Sequence, residues 1–212
     1  MLFDKREQLD LFGNQPEKRY NSLDELRNIA LDCSRCGLRD NCTQVVFGAG
    51  DKDADLMFVG EGPGKDEDRQ GTPFVGRAGK LLDKILSAAE IDKSEVYISN
   101  IVKCRPPGNR KPSTQEMKTC LWILAQEIKI IDPKIIVPLG STALKGLLDP
   151  GGKITHVRGN WVEREGRYFL PTFHPAALLR DERKKAPVWK DFLTIKKAYN
   201  KYLKLKAEGK EV

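Results

Sequence analysis

Ala54–Gly60 reads ADLMFVG, a short apolar run that ends in glycine and leads into Gly60–Asp68, GEGPGKDED. An apolar run of this length bounded by turn residues is a buried strand. Working outward, Arg77–Ala89 carries Leu81, Leu82, Ile85 and Leu86 at helical spacing, and Val96–Asn100 (VYISN) reads as a second strand. Ser113–Ile131 is a helix opened by the capping box Ser113 and Glu116. Lys134–Leu139 (KIIVPL) is a strand that Pro138 disturbs near its end. Trp161–Glu165 and Tyr168–Thr172 form a hairpin around Gly166, and Pro187–Leu205 is a long terminal helix with proline at its start. Upstream, a helix starts at Ser22, with Glu25 completing a capping box and Leu23, Leu26, Ile29 and Ala30 on one face. Strands that alternate with helices predict an α/β fold with parallel strands. Ligands of such sheets sit at the C-terminal ends of the strands. GEGPG follows the first strand, Asn100 ends the second and His174 follows the last.

Composition sets the class. The chain has 212 residues, 40% of them hydrophobic, enough for a packed core, and 37 basic against 30 acidic residues give a net charge of +7. No run approaches the roughly 18 apolar residues of a membrane span. The N-terminus, MLFDKREQLDLFG, has no apolar signal-peptide centre. The expectation is a cytoplasmic, nucleoid-associated, monomeric protein whose five cysteines are thiols, and the odd count argues against a complete disulfide framework. Residues 1–20 carry four basic and four acidic residues and read as a flexible arm. Residues 21–205 form the domain and 206–212 a polar tail. Val102–Pro112, VKCRPPGNRKP, has four basic residues and no acid, so Arg105, Arg110 and Lys111 are candidates for phosphate contact. The alternative is a solvated surface.

Five further features carry chemistry. GEGPGKDED lacks the Gly-Lys-Ser/Thr ending of a phosphate-binding loop, and its Glu61, Asp66, Glu67 and Asp68 would repel an anion. Acids at the active end of the sheet suit a cationic transition state; alternatively they stabilise a helix N-terminus, which accounts for residues 66–68 better than for Glu61. In GTPFVGRAG, Phe74 reads either as a core plug or as an exposed stacking surface. Asn100 offers an acceptor and donors in one plane, which match O4 and N3–H of uracil and oppose cytosine; a turn role is the alternative. In FHPAALLR, His174 can face a cleft, and Leu178 and Leu179 beside Arg180 suit either a wedge entering DNA or the inner face of a helix. His156, in KITHVRG, reads as surface. Cys33 and Cys36 form a C-x2-C pair, followed by Cys104 and Cys120, with Cys42 as a fifth. The spacing fits a metal centre without distinguishing zinc from an iron–sulfur cluster.

GEGPGKDED, GTPFVGRAGKLL, NIVKCRPPGNRKP and FHPAALLR, in that order, resemble the family 4 uracil-DNA glycosylases, the iron–sulfur type. The resemblance covers roughly residues 30–200. It implies a three-layer α/β/α sandwich around a central four-stranded parallel sheet. It implies that Cys33, Cys36, Cys104 and Cys120 hold a [4Fe–4S] cluster, with Cys42 spare, tying the basic loop to the N-terminal helix. Carried over position by position, Glu61 and Gly62 lie against the flipped uracil and its sugar, and Glu67 closes the pocket where a thymine methyl would sit. Phe74 stacks on the base, Asn100 reads its edge, His174 binds the O2 side and Leu178 wedges into the helix. The family 1 enzymes have a water-activating Asp where this chain has Gly62, so the general base is left open. The family specific for mispaired uracil has Asn there, and family 5 lacks the acid at Glu61.

The implied activity is excision of flipped-out uracil from single- or double-stranded DNA, without strand cleavage. The competing expectation is a non-catalytic, metal-stapled DNA-binding module attached to a polymerase, which gives no reason for Glu61, Asn100 and His174 to gather at the strand ends. Outside the resemblance, Gln8, Leu9, Asp10, Leu11 and Phe12 read QLDLF, similar to the pentapeptide by which bacterial proteins bind the sliding clamp.

Overall fold

The computed structural model describes residues 20–210. Residues 1–19 of the arm, with the Gln8–Phe12 pentapeptide, lie outside the described residues. The elements run α1 (Leu23–Leu31), β1 (Ala49–Gly50), β2 (Leu56–Gly60), α2 (Lys65–Gln70), α3 (Arg77–Ala88), β3 (Val96–Asn100) and α4 (Thr114–Ile131). They continue β4 (Ile135–Pro138), α5 (Gly140–Leu147), α6 (Ile154–Val157), β5 (Val162–Arg164), β6 (Arg167–Phe169), α7 (Pro175–Leu178) and α8 (Lys185–Ala207).

The strands form one six-stranded sheet in the order β1-β3-β2-β4-β6-β5. The expected four-stranded parallel sheet is its centre: β3, β2, β4 and β6 are parallel, in the register Phe58 with Ile98 and with Val137. The correction lies at the edges, where β1 and β5 add short antiparallel strands. Ala49–Gly50 is too short for an alternation signal. The hairpin turns at Glu165 and Gly166, both at positive φ, which is the twist-matched two-residue turn.

Every residue of β2, β3 and β4 is buried, as parallel strands covered on both faces must be. Alternate side chains serve two cores. Met57, Val59, Tyr97 and Ile136 pack with α1, α4 and α5. Leu56, Phe58, Ile98 and Val137 pack with α3, α7 and α8. The result is the expected three-layer sandwich. Ser22 caps α1 by accepting from Glu25 N–H at 3.1 Å. Ser113 and Glu116 close the capping box of α4 at 3.2 and 2.6 Å. The terminal helix begins at Lys185, so Pro187 sits in its first turn, where a missing N–H costs nothing. It ends at Ala207, two residues beyond the expected domain boundary at 205. No helix among the described residues is long and apolar enough to cross a membrane.

Candidate functional site

β2 and β3 end side by side, with Gly60 opposite Asn100, and their loops open a cavity of about 310 Å³. Glu61, Gly62, Glu67, Phe74, Asn100 and His174 all line it, as do Asn109 and Arg110 of the basic loop. Six residues that the sequence scatters over more than a hundred positions therefore share one hollow.

Each of the four acids in GEGPGKDED has its own partner. Glu61 Oε2 accepts from the Thr142 hydroxyl, which α5 delivers from the neighbouring strand end. Asp66 pairs with Arg69 at 3.6 Å on the surface. Glu67 is buried, and its two oxygens accept from Gly76 N–H at 2.8 Å and Gly64 N–H at 3.2 Å. It thus staples the loop after β2 to the loop before α3. Asp68 accepts from the Thr43 amide at 2.9 Å and hydroxyl at 2.8 Å, fixing the segment after Cys42. At Gly62 a Cβ would stand 2.6 Å from Val102 Cγ2, so a side chain there would require that valine side chain to shift.

Phe74 is buried rather than exposed, as the plug reading expects, and it also lines the cavity. Its ring stands close beside Gly60 and 5.6 Å from the His174 ring. Its φ of 55° is unusual for a bulky residue, and the tight turn requires glycine at 79, where a Cβ would stand 1.8 Å from Phe74 O. Asn100 is 2% exposed, and its Oδ1 has no hydrogen-bond partner among the described residues. Leaving such an acceptor unsatisfied costs about 1–3 kcal/mol, so it calls for a donor from a ligand.

His174 is the N-cap of α7, and its Nδ1 accepts from Ala176 N–H at 3.1 Å. A neutral ring that accepts at Nδ1 carries its proton on Nε2. Enclosure, aided by the charge of Arg180, pushes the imidazole pKa down from 6.5 to about 4. At neutral pH the ring is therefore an uncharged Nε2–H donor. His156 is exposed on α6, away from the cavity.

Of the two readings of Leu178, a wedge or the inner face of a helix, the structure gives the inner face. Leu178 is 2% exposed, packed into the core that holds Leu82, whereas Leu179 is 44% exposed beside exposed Arg180. One residue of a helix is about 100° of rotation, enough to take Leu179 off the buried face that holds Leu178. A wedge must project, and Leu179 is the side chain that does. In the basic loop, Lys103 turns inward and is 1% exposed, bonded to Glu127 at 2.6 Å and Ser99 at 2.5 Å. Arg105 bonds Asn109 at 2.7 Å, and Arg110 grips Glu116 at 2.6 and 2.8 Å, which holds that carboxyl down at about 2. Arg110, Lys111 and Arg180 are exposed.

All five cysteines are free thiols. Cys33, Cys36, Cys104 and Cys120 line one small cavity together with Arg35, Arg39 and Lys103. Lys103 N–H donates to Cys120 Sγ at 3.3 Å. Burial pushes the Cys120 thiol up to about 12, and burial with its thiol neighbours raises Cys104 further. Among the described residues, no three potential ligands stand together as a ready-formed metal site. The donor chemistry nevertheless fits: four soft sulfurs converge where three cations can offset thiolate charge.

Sequence reading missed Thr142. The helix that carries it has no side-chain cap and follows β4 directly, so no start signal marks GSTALKGL.

The model of the uracil DNA glycosylase superfamily matches residues 47–203. A type-4 uracil-DNA glycosylase of Thermotoga maritima is 50% identical over 152 residues, 70% of this chain and 79% of that protein. One of Sulfurisphaera tokodaii is 40% identical over 185 residues, 83% of this chain and 84% of that protein. A DNA polymerase of Bacillus phage SP01 is 41% identical over 156 residues, which are 73% of this chain but 16% of the polymerase. With a family model that matches most of it and relatives that span most of its length, the chain belongs to the uracil DNA glycosylase superfamily, beside the type-4 enzymes.

Proposed function

We propose that the chain hydrolyses the N-glycosidic bond of uracil in DNA and leaves an abasic site. The observation that carries this reading is the pairing of Asn100 Oδ1, a buried acceptor with no partner, with the Nε2–H of His174 across one cavity. Uracil in the stack is out of reach, so the nucleotide is flipped out, at a cost of a few kcal/mol that is least at a mismatch. The Phe74 ring stacks on the base. Asn100 Oδ1 accepts from N3–H while its amide donates to O4, the pattern that cytosine reverses. As the bond breaks, negative charge gathers on the uracil and positive charge on the sugar. The neutral imidazole of His174 donates to O2 as that charge develops, in the manner of an oxyanion hole. Glu61, aimed by Thr142, stabilises the cationic sugar and orients water. Glu67 shapes the wall where a thymine methyl would sit. Lys111, Arg180, Arg105 and Arg110 meet phosphates, Arg110 by sharing itself with Glu116, and Leu179 fills the gap.

Cys33, Cys36, Cys104 and Cys120 are the residues that would hold a [4Fe–4S] cluster, which when bound supplies a cross-link among the N-terminal segment, the basic loop and α4. Gln8–Phe12 serves as a sliding-clamp contact of micromolar strength, roughly −8 kcal/mol. Titrating a peptide of residues 1–20 and its Leu11→Ala/Phe12→Ala control against a bacterial clamp tests that contact.

The central test is base release from single-stranded DNA containing one uracil. Free uracil with an intact backbone is expected, and strand scission without added base would contradict the mechanism. Asn100→Asp should strongly weaken release, since a carboxylate has no N–H for O4. Binding without release, by protein purified anaerobically, would favour the polymerase-associated module instead.

A further inference from the structure

His174 reaches the cavity from a three-residue segment, Thr172-Phe173-His174, that follows β6. The segment is held from below by the terminal helix. Asp191 on α8 is buried, and its Oδ2 accepts from the Thr172 hydroxyl at 2.5 Å and from Arg158 Nε at 3.1 Å. Its Oδ1 accepts from Arg158 Nη2, which also donates to Pro187 O at the start of the same helix at 2.6 Å. Every close partner of this carboxylate therefore belongs to the approach to His174 or to Arg158. The backbone is cut to fit: Gly159 has φ +75°, and a Cβ there would stand 2.6 Å from Asp191 Oδ1. Gly159 N–H in turn donates to Pro171 O at 2.9 Å. The Arg158 guanidinium lies 5.5 Å from the centre of the Phe173 ring, so the residue between Thr172 and His174 is held by the same group. A buried, bidentate ion pair is an inefficient way to gain stability. Here it ties the end of a strand to a helix far along the chain.

We propose that Asp191, through Arg158 and Thr172, is the positioning group that sets the His174 ring in the cavity and so fixes its Nε2–H toward the departing base. This rests on the reading of His174 as that donor. Asp191 lies outside the cavity and acts only through the segment it holds. Thr172 is the cleanest probe, because valine keeps its shape and loses the hydroxyl, while serine keeps the hydroxyl.

The experiment uses the full chain with its iron content matched between variants. Single-turnover excision, DNA affinity and the ¹⁵N spectrum of labelled histidine are measured for Thr172→Val, Thr172→Ser and Asp191→Asn. The chain has two histidines, so His156 is an internal reference. Thr172→Val and Asp191→Asn are expected to slow excision about tenfold with unchanged affinity, in line with the cost of misplacing a reacting group. The His174 ring signals move while those of His156 stay, and Thr172→Ser restores both rate and signals. If Asp191→Asn fails to fold, the valine and serine pair decides. A folded Thr172→Val with wild-type rate and wild-type His174 signals would overturn the proposal. His174→Ala run alongside separates the two readings: wild-type excision by that variant removes the functional reading, whereas slow excision with an unaffected Thr172→Val removes only this inference.

Discussion

The cavity at the strand ends and the cavity among the cysteines are built on opposite plans. In the first, the polar groups that act are already held by the protein: Glu67 by two amides, Glu61 by Thr142 and His174 by Ala176. One acceptor, Asn100 Oδ1, is left for the substrate. In the second, four sulfurs line one small cavity, burial raises the thiols of Cys104 and Cys120, and the charged groups lining it are all cations. The first is organised by backbone hydrogen bonds and needs only a base to complete it. On the proposed [4Fe–4S] assignment, the second would reach its working state only when thiolates form around a positively charged centre. On that assignment preorganisation sits at the strand ends, and dependence on an added group on the side that adjoins the basic loop.

The largest expected effect lies on the cysteine side. Cys104→Ala removes a proposed cluster ligand and should abolish the stoichiometric iron and the visible absorption of anaerobically purified protein, with a lowered melting temperature. Retention of about four iron atoms per chain would break the contrast. Next comes Lys103→Met, which leaves Glu127 buried against Ser99 and Tyr97 without its cation. Breaking one side of a buried pair costs about 3–5 kcal/mol, readable by urea unfolding. A loss below about 1 kcal/mol would show that the pair contributes little to the fold.

On the cavity side, His174→Ala should cut the single-turnover rate on the order of 10²–10³ with little change in DNA affinity, the signature of a contact made in the transition state. A matched loss of affinity would instead make His174 a binding group. The same residue sharpens the comparison through pH. Its folded pKa of about 4 lies below the ordinary 6.5, so the unfolded chain takes up the proton first. Stability attributable to this site is complete above about pH 6.5 and is lost as pH falls toward 4. The melting-temperature gap between wild type and His174→Asn should accordingly shift against the wild type between pH 7 and pH 4.5. A constant gap would mean that the ring is not kept neutral by its enclosure. The smallest effect is reserved for Cys42→Ala, which should leave iron content and melting temperature unchanged.

The parallel core was legible because apolar runs such as LMFVG and IIVP are buried on both faces, and because Ser22 and Ser113 announce their helices through local bonds. What escaped depends on orientation. Leu178 and Leu179 are equivalent as letters, and only the helical rotation after Pro175 sends one inward and the other out. Lys103 looks like its basic neighbours in VKCRPPGNRKP until the partner at Glu127, 24 residues on, is known. Within the site, Glu61, Glu67, Phe74, Asn100 and His174 could be named from the chain, but their supports could not. Thr142 and Asp191 lie on other elements, and nothing local to either residue points to the group it holds.

The bond from Ala176 N–H to His174 Nδ1 joins two tasks in one atom. The nitrogen that selects the ring's proton also starts α7. Serine, aspartate and asparagine perform the second task as well as histidine does. Replacement by one of them therefore separates shape from chemistry. The turn and the exposed Leu179 are expected to persist, while the cavity loses the ring that faces Phe74 and, on the proposed mechanism, the developing charge on the base loses its donor. Such a variant is a natural tool for trapping the protein on a lesion with the base still attached. It also marks a route by which a gene copy could drift from enzyme to reader of damaged DNA in a single step, without first passing through an unstable fold.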